Sequence, residues 1–398
     1  MTPRERFLIA MQNGIPDRVP VAPDISTYIP MKMSGLGPTD YWVAAKEIPH
    51  WQAYLNAADA FGLDAWTAPA FGLPVIYEPA PVDWATAVEL DRARDTRVET
   101  TIARTPDGEL RQVSICYRGD QPAVAEKFIK DLVRDFPKFR HTQPMARELD
   151  HSTLETFRAA CHDRGYAFGV TLSYPGFHMW NCYVHGGIAA LSYALLDSPA
   201  VLDEWAELDL ERGQRMMELA LQADLDYVLF GGSGTITLAS PALARKYAIP
   251  ALKAWSRMAK EAGLPTMLHS CGKNRALADM LAAETDVGML NPLEVPPAGD
   301  IDLAEIKRVY GRRLAFMGNL HTTDVMLNGT PQEVRRKAIE AMRDAGRGGG
   351  FILSTGDQCG RDTPYENILA IVEAANTYGR YDPASGELPD LPAGASGA

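Results

Sequence analysis

From residue 166 to residue 357 the chain alternates short apolar runs with longer stretches of helical periodicity. The runs are YAFGVTLSY (166–174), LDYVLFGGSG (225–234), LPTMLHSCG (264–272), VGMLNPLE (287–294), LAFMGNLH (314–321) and GFILSTGD (350–357). Between them lie patterns such as 331–345, where Val334, Ala338, Ile339 and Met342 recur at helical spacing behind Thr330 as a cap. This βαβα order implies a parallel sheet. Two earlier runs, 19–24 in DRVPVAPD and LDAWTAP at 63–69, bring the count to the eight that a (β/α)8 TIM barrel requires. A doubly wound sheet accepts the same rhythm. The barrel is favoured because most runs close on a residue capable of chemistry, namely Asp24, Tyr174, His269, Glu294, His321 and Asp357, and barrels build their sites at strand ends.

The flanks complete an α/β architecture. An N-terminal helical extension is expected from TPRERFLIAMQNG, with Thr2 as N-cap, Pro3 at the first helical position, apolar Phe7, Leu8 and Met11, and Gly14 as the stop. Pro20 and Pro23 cut the first strand short. VETTIARTPDGELRQVSICYR alternates around Pro106-Asp107-Gly108 and reads as a β-hairpin insertion at about 98–117. The expectation is a single barrel domain over 1–381, followed by a flexible tail over 382–398 rich in Pro, Gly, Ala and Ser.

Composition narrows the partners. Of 398 residues 46% are hydrophobic and 23% charged, an ordinary globular balance. No apolar run reaches the length of a membrane span, and the first residues lack the pattern of a cleaved leader, so a cytoplasmic protein is expected. The net charge of -12 has the wrong sign for a nucleic-acid footprint. A small molecule or another protein is the expected partner, and a homodimer stays open. The five cysteines, Cys116, Cys161, Cys182, Cys271 and Cys359, are odd in number and scattered, which suits reduced thiols rather than a disulfide framework.

Candidate chemistry centres on MLHSCG. His269 and Cys271 stand two apart, so on an extended strand their side chains point the same way. Cys359 follows the last run and would enter the same barrel mouth. One histidine and two thiolates with an open fourth position form a catalytic zinc set, whereas a His-x-Cys by itself is often incidental.

RERFLIAMQNGIPDRVPV, SPALARKYAIPALKAW, MGNLHTTDV, GTPQEVRRKAIEAM and GFILSTGDQCGRDTPYENILAIVEAANTYGRY together resemble the uroporphyrinogen decarboxylase superfamily. HSCG with the late CG is similar to its zinc-dependent branch, the methyltransferases that serve corrinoid proteins. The resemblance implies a (β/α)8 barrel with zinc on His269, Cys271 and Cys359. It also implies a corrinoid (cobalamin) carried by a separate corrinoid-binding protein, and a small methylated substrate. The decarboxylase branch has an arginine-rich N-terminal segment that grips the carboxylates of a porphyrinogen. The corresponding VAPDISTYIPMKMSGLG holds no arginine between Arg18 and Lys32, which speaks against that substrate.

Within the methyltransferase reading, zinc is a mild Lewis acid on a leaving or attacking heteroatom. Glu294, His321 and Asp357 are candidate catalytic groups, Glu294 also being a candidate fourth ligand. Asp24, Tyr28, Tyr174, Phe177, Trp180 and His185 are candidate substrate contacts. The aromatic stretch SYPGFHMWNCYVHGG leans the expectation towards an aryl methyl ether donor and O-demethylation, although the same residues would serve equally well to seal the barrel or form a subunit contact. The alternatives are a methylcobamide:thiol methyltransferase, with coenzyme M or homocysteine as acceptor, and a non-enzymatic corrinoid or tetrapyrrole-binding protein with a structural zinc.

Overall fold

The computed structural model describes residues 1–35, 48–91, 93, 96–117 and 122–389. Along the chain the strands are β1 (Val75–Tyr77), β2 (Asp83–Asp91), β3 (Thr96–Thr105), β4 (Gly108–Tyr117), β5 (Ala123–Glu126), β6 (Ala146–Leu149), β7 (Gly169–Ser173), β8 (Tyr227–Gly231), β9 (Thr266–His269), β10 (Met289–Asn291), β11 (Ala315–Leu320) and β12 (Phe351–Thr355). β7 to β12 form one parallel sheet in sequence order, each strand coinciding with one of the six apolar runs.

The two N-terminal runs join the edges of this sheet. Val21 bridges Leu353 in parallel and Gly72 bridges Thr171, while the Asp64 amide donates to the Val21 carbonyl at 2.9 Å. Backbone contacts therefore link β12 to the first run and the first run to the second, and Gly72, three residues past the second run, to β7, the order of a (β/α)8 barrel. The first run makes only single bridges because Pro20 and Pro23 lack the N–H a ladder needs. Side-chain bonds compensate. The fully buried Asp64 carboxylate accepts from the Val21 amide at 2.8 Å, from Arg18 Nη1 at 2.7 Å and from Arg6 Nη1 at 2.5 Å.

Strand alternation divides the core in two. Val170, Val228, Phe230, Leu268, Leu290, Phe316 and Leu353 pack outward against the helices. Ala22, Trp66, Leu229, Met267, Met289, Met317 and Ile352 share the inner cluster. That cluster also contains Phe7, Ala10 and Met11 of the helix Pro3–Met11, so the N-terminal helix stops the barrel floor. Its start is fixed by a capping box between Thr2 and Glu5 and by Pro3.

The hairpin expected at 98–117 is β3 and β4, but these are the centre of a four-stranded antiparallel sheet in the order β2-β3-β4-β5. β2 was not read from the pattern, although DWATAVELD alternates Trp84, Thr86, Val88 and Leu90 on one face, a face that stays exposed in the fold. The insertion returns through β6, paired with β1.

Near the C-terminus the chain remains anchored beyond Tyr381: the Tyr381 hydroxyl donates to the Gly346 carbonyl at 2.7 Å, and Leu388 is buried in the outer core. The tail expected to fray from residue 382 is thus held to Leu388, and 390–398 lie outside the described residues. No helix among the described residues is long and apolar enough to cross a membrane.

Candidate metal centre and substrate cavity

The inner face turns polar one step beyond its apolar layer. Two residues after Met267 comes His269, two after Met289 comes Asn291, and two after Ala22 comes Asp24, so the period of two carries each onto the inner face at the barrel mouth. His269 and Asn291 are register partners across β9 and β10. His269 Nδ1 lies 2.5 Å from Asn291 Oδ1, and Asn291 Nδ2 donates to the Met317 carbonyl at 3.3 Å. With the amide oriented by Met317, its oxygen can only accept, so Nδ1 carries the proton and Nε2 presents a lone pair. That nitrogen stands 3.1 Å from Cys271 Sγ, and ligand atoms of His269, Cys271 and Asp357 all fall within 4.8 Å of one another.

The segment holding this pair is fixed from behind. Tyr174 Oη meets Thr235 Oγ1 at 2.6 Å, and the hydroxyl of Ser270, between the two candidate ligands, donates to that same Oγ1 at 3.0 Å. Ser270 is fully buried, and its carbonyl accepts from Asn274 Nδ2 at 2.6 Å. Gly272 follows with φ +83°, and a Cβ there would collide with the Thr237 hydroxyl; only glycine fits this turn. The Gly272 amide donates to the Glu294 carboxylate.

Cys359 lies close by but outside the cluster. It is fully buried, its amide donates to the Asp24 carbonyl at 2.8 Å, and its thiol bonds the Thr355 hydroxyl. Of the expected set, His269 and Cys271 thus stand together with Asp357 beside them, while Cys359 sits in the adjoining wall. Burial lifts both thiols well above the usual cysteine range, reinforced by Asp357 for Cys271 and by Asp24 for Cys359. Burial likewise raises the carboxyls of Asp24 and Glu294 above their ordinary values. Acidic groups crowded in this way call for a cation.

The mouth opens as a cavity of about 540 Å³ lined by Asp24, Ser233, His269, Cys271 and Asp357 with the aromatic faces of Trp66 and Phe71. No lysine or arginine is among its described lining residues. The Trp66 ring lies tilted beside His269 at 5.4 Å between ring centroids, and its buried Nε1 has no hydrogen-bond partner among the described residues.

Other expected contacts go elsewhere. Phe177 and Trp180 are buried in a second core with Ile129, Phe136, Phe139 and Trp205, where the insertion packs on the loop after β7, and Trp180 also lines a second cavity that shares Gly72 and Thr171 with the mouth. Tyr174 is buried in the outer core with its hydroxyl committed to Thr235. Tyr28 packs beside Met31 and Ala53. His185 is exposed, placed by a backbone bond to Ile129 rather than by the cavity. His321 caps the π-helical turn Thr322–Leu327, its Nδ1 accepting from the amides of Thr323 and Asp324, and it lines a separate cavity with Asn319 and Asp344. The aromatic density misleads because rings signal burial without saying whether ligand or protein covers them. Pattern reading missed Asn291 and Thr235; for Asn291 the signal was present, an amide one register step from His269.

A model described as uroporphyrinogen decarboxylase matches residues 189–378. A methylcobamide:CoM methyltransferase of Methanosarcina mazei is 30% identical over 188 residues, 45% of this chain and 49% of that protein. A methylated-thiol–coenzyme M methyltransferase of the same organism is 26% identical over 182 residues, 43% and 46% of the two chains. A uroporphyrinogen decarboxylase of Coxiella burnetii is 30% identical over 77 residues, 19% and 21%. The chain spans about half the length of the two methyltransferases it matches. Among solved structures, a methyltransferase from Methanosarcina mazei shares the fold with a TM-score of 0.64 at 19% identity, covering 94% of this chain and 98% of that one. Over residues 189–378, just under half of its length, the chain is thus similar to the uroporphyrinogen decarboxylase family.

Proposed function

We propose that the chain is a zinc-dependent methyltransferase that moves a methyl group between the cobalt of a separate corrinoid protein and the sulfur of a small thiol. The observation that carries this reading is the His269 Nε2 lone pair, fixed by Asn291 and set 3.1 Å from Cys271 Sγ at the floor of an open cavity. Imidazole, sulfur and oxygen donors suit zinc, and zinc there would stabilise a substrate thiolate near neutral pH. Cys359 is the third ligand of the reading on donor softness, with Asp357 the neighbouring carboxylate. The methylcobamide and thiol named in the relatives favour the thiol as acceptor over the aryl ether expected first.

The chain's own groups then divide the work. Asn291 holds His269 with Nε2 aimed at the cavity. Glu294, its carboxyl raised by burial and bonded to the Gly272 amide beside Cys271, is the group proposed to take the proton that leaves the thiol. The sulfur forms its bond to the methyl carbon as the cobalt–carbon bond breaks, both electrons staying on cobalt. The absence of described basic residues in the cavity opposes a porphyrinogen with its many carboxylates. The aryl methyl ether reading retains one supporting feature, the wall of Trp66 and Phe71.

Metal analysis of the purified chain tests this first. About one zinc per chain is expected, with Cys271→Ser at least tenfold weaker in zinc affinity; full zinc retention by that variant overturns the reading. Zinc content of Cys359→Ser against Asp357→Asn decides the third ligand. Thiol-dependent demethylation of methylcobalamin, compared with methylation of reduced cobalamin by an aryl methyl ether, decides the direction.

A further inference from the structure

A second cavity, of about 310 Å³, adjoins the mouth and shares Gly72 and Thr171 with it. Its walls are aromatic and soft. Trp180 and Trp205 stack with centroids 5.3 Å apart, Tyr183 lies 6.3 Å from Trp205, and Met179 and Met216 complete the lining.

Two charged side chains from one turn of the helix Pro199–Ala220 also line it, Asp209 and Arg212. They form no ion pair with each other, and neutral partners hold both. Asp209 Oδ2 accepts from Trp180 Nε1 at 2.8 Å, and the Trp205 indole also bonds the carboxylate. Arg212 Nε donates to the Pro144 carbonyl at 3.3 Å and Nη1 to Gln143 Oε1 at 3.0 Å, while Nη2 makes no hydrogen bond to a described residue. Charges out of bulk water are costly unless paired. Here two opposite charges stand three residues apart on one wall, each ready for an outside partner.

We propose that this cavity binds a small zwitterion, an α-amino acid whose side chain carries the thiol, with its ammonium at Asp209 and its carboxylate at Arg212. The side chain then passes Gly72 and Thr171 into the mouth that holds Cys271. Indole faces favour the ammonium, and the two methionines suit a methylene and sulfur chain. A volume near the lower end of ligand pockets fits an amino acid rather than a larger substrate. The thiol rests on the methyl-transfer reading; recognition of the zwitterion stands on the cavity alone.

Calorimetric titration of the full chain with L-methionine separates the two, because this probe carries both charges and no free thiol. Saturable binding is expected, equal in wild type and Cys271→Ser, and at least tenfold weaker for N-acetyl-L-methionine and for L-methionine methyl ester, each of which lacks one charge. Asp209→Asn and Arg212→Gln are expected to lose at least tenfold in L-methionine affinity with unchanged circular dichroism. The ester and N-acetyl probes on the wild-type chain keep the test intact if either variant fails to fold. No saturable binding of L-methionine, or equal binding of the singly charged probes, overturns the proposal. Binding of L-homocysteine without demethylation of methylcobalamin instead overturns the methyl-transfer reading and leaves the amino-acid site standing.

Discussion

At the scale of single residues, the tautomer of His269 is the most consequential detail. It depends on an amide that touches no substrate, since Asn291 is itself oriented by the Met317 carbonyl. An outer partner of this kind is worth about 10 to 100-fold in metal affinity, so Asn291→Leu is expected to weaken zinc binding by that factor, measured by competition with a chromogenic chelator. A second histidine shapes the response to acid. His178 is buried against Tyr174, its Nε2 without a partner among the described residues, and burial pushes its pKa from 6.5 down to about 3. The unfolded chain takes up a proton near 6.5 that the folded chain refuses until about 3, so this contribution to stability is complete above 6.5 and is lost as pH falls through that window. The loss is about 1.4 kcal/mol per pH unit. Urea unfolding of wild type and His178→Gln from pH 7.5 to 5 is expected to show the steeper decline in wild type alone.

At the scale of elements, Asp64 ties three pieces together: the N-terminal helix through Arg6, the first run through Arg18 and the Val21 amide, and the second run by its own backbone. Removing one partner of a buried ionic group costs about 3 to 5 kcal/mol. Asp64→Ala is therefore expected to lose that much in chemical denaturation, with the loss expressed where the short first run meets β12. This also explains what could be read from the sequence. The buried strands β7 to β12 declare themselves as apolar runs between helical patterns, and His269 with Cys271 falls out of a period of two. Asp64 looks like an incidental acid within the second run, because its meaning lies in two arginines that only folding brings near. Phe177 was expected at the substrate, but folding sets it in the second core with Ile129, Phe136 and Phe139, residues whose nearness no local pattern announces.

At the scale of the whole molecule, the barrel has a polar mouth and a dry floor, and the two are built by distant parts of the chain. The helix Pro3–Met11 plugs the floor with Phe7 and Met11 against Met267, Met289, Met317 and Ile352. Burying those two side chains contributes roughly 3 to 6 kcal/mol. A chain beginning at residue 12 is expected to bind a hydrophobic dye strongly and to lose its near-ultraviolet circular dichroism, whereas unchanged spectra would mean that the floor closes without the helix. The stopper also sets a schedule. Phe7 leaves the ribosome early, and Ile352 follows 345 residues later. At about 5 to 20 residues per second that is roughly 20 to 70 s. During synthesis the helix has its cap but not its seat, so its apolar face is a client for chaperones until the last strand arrives.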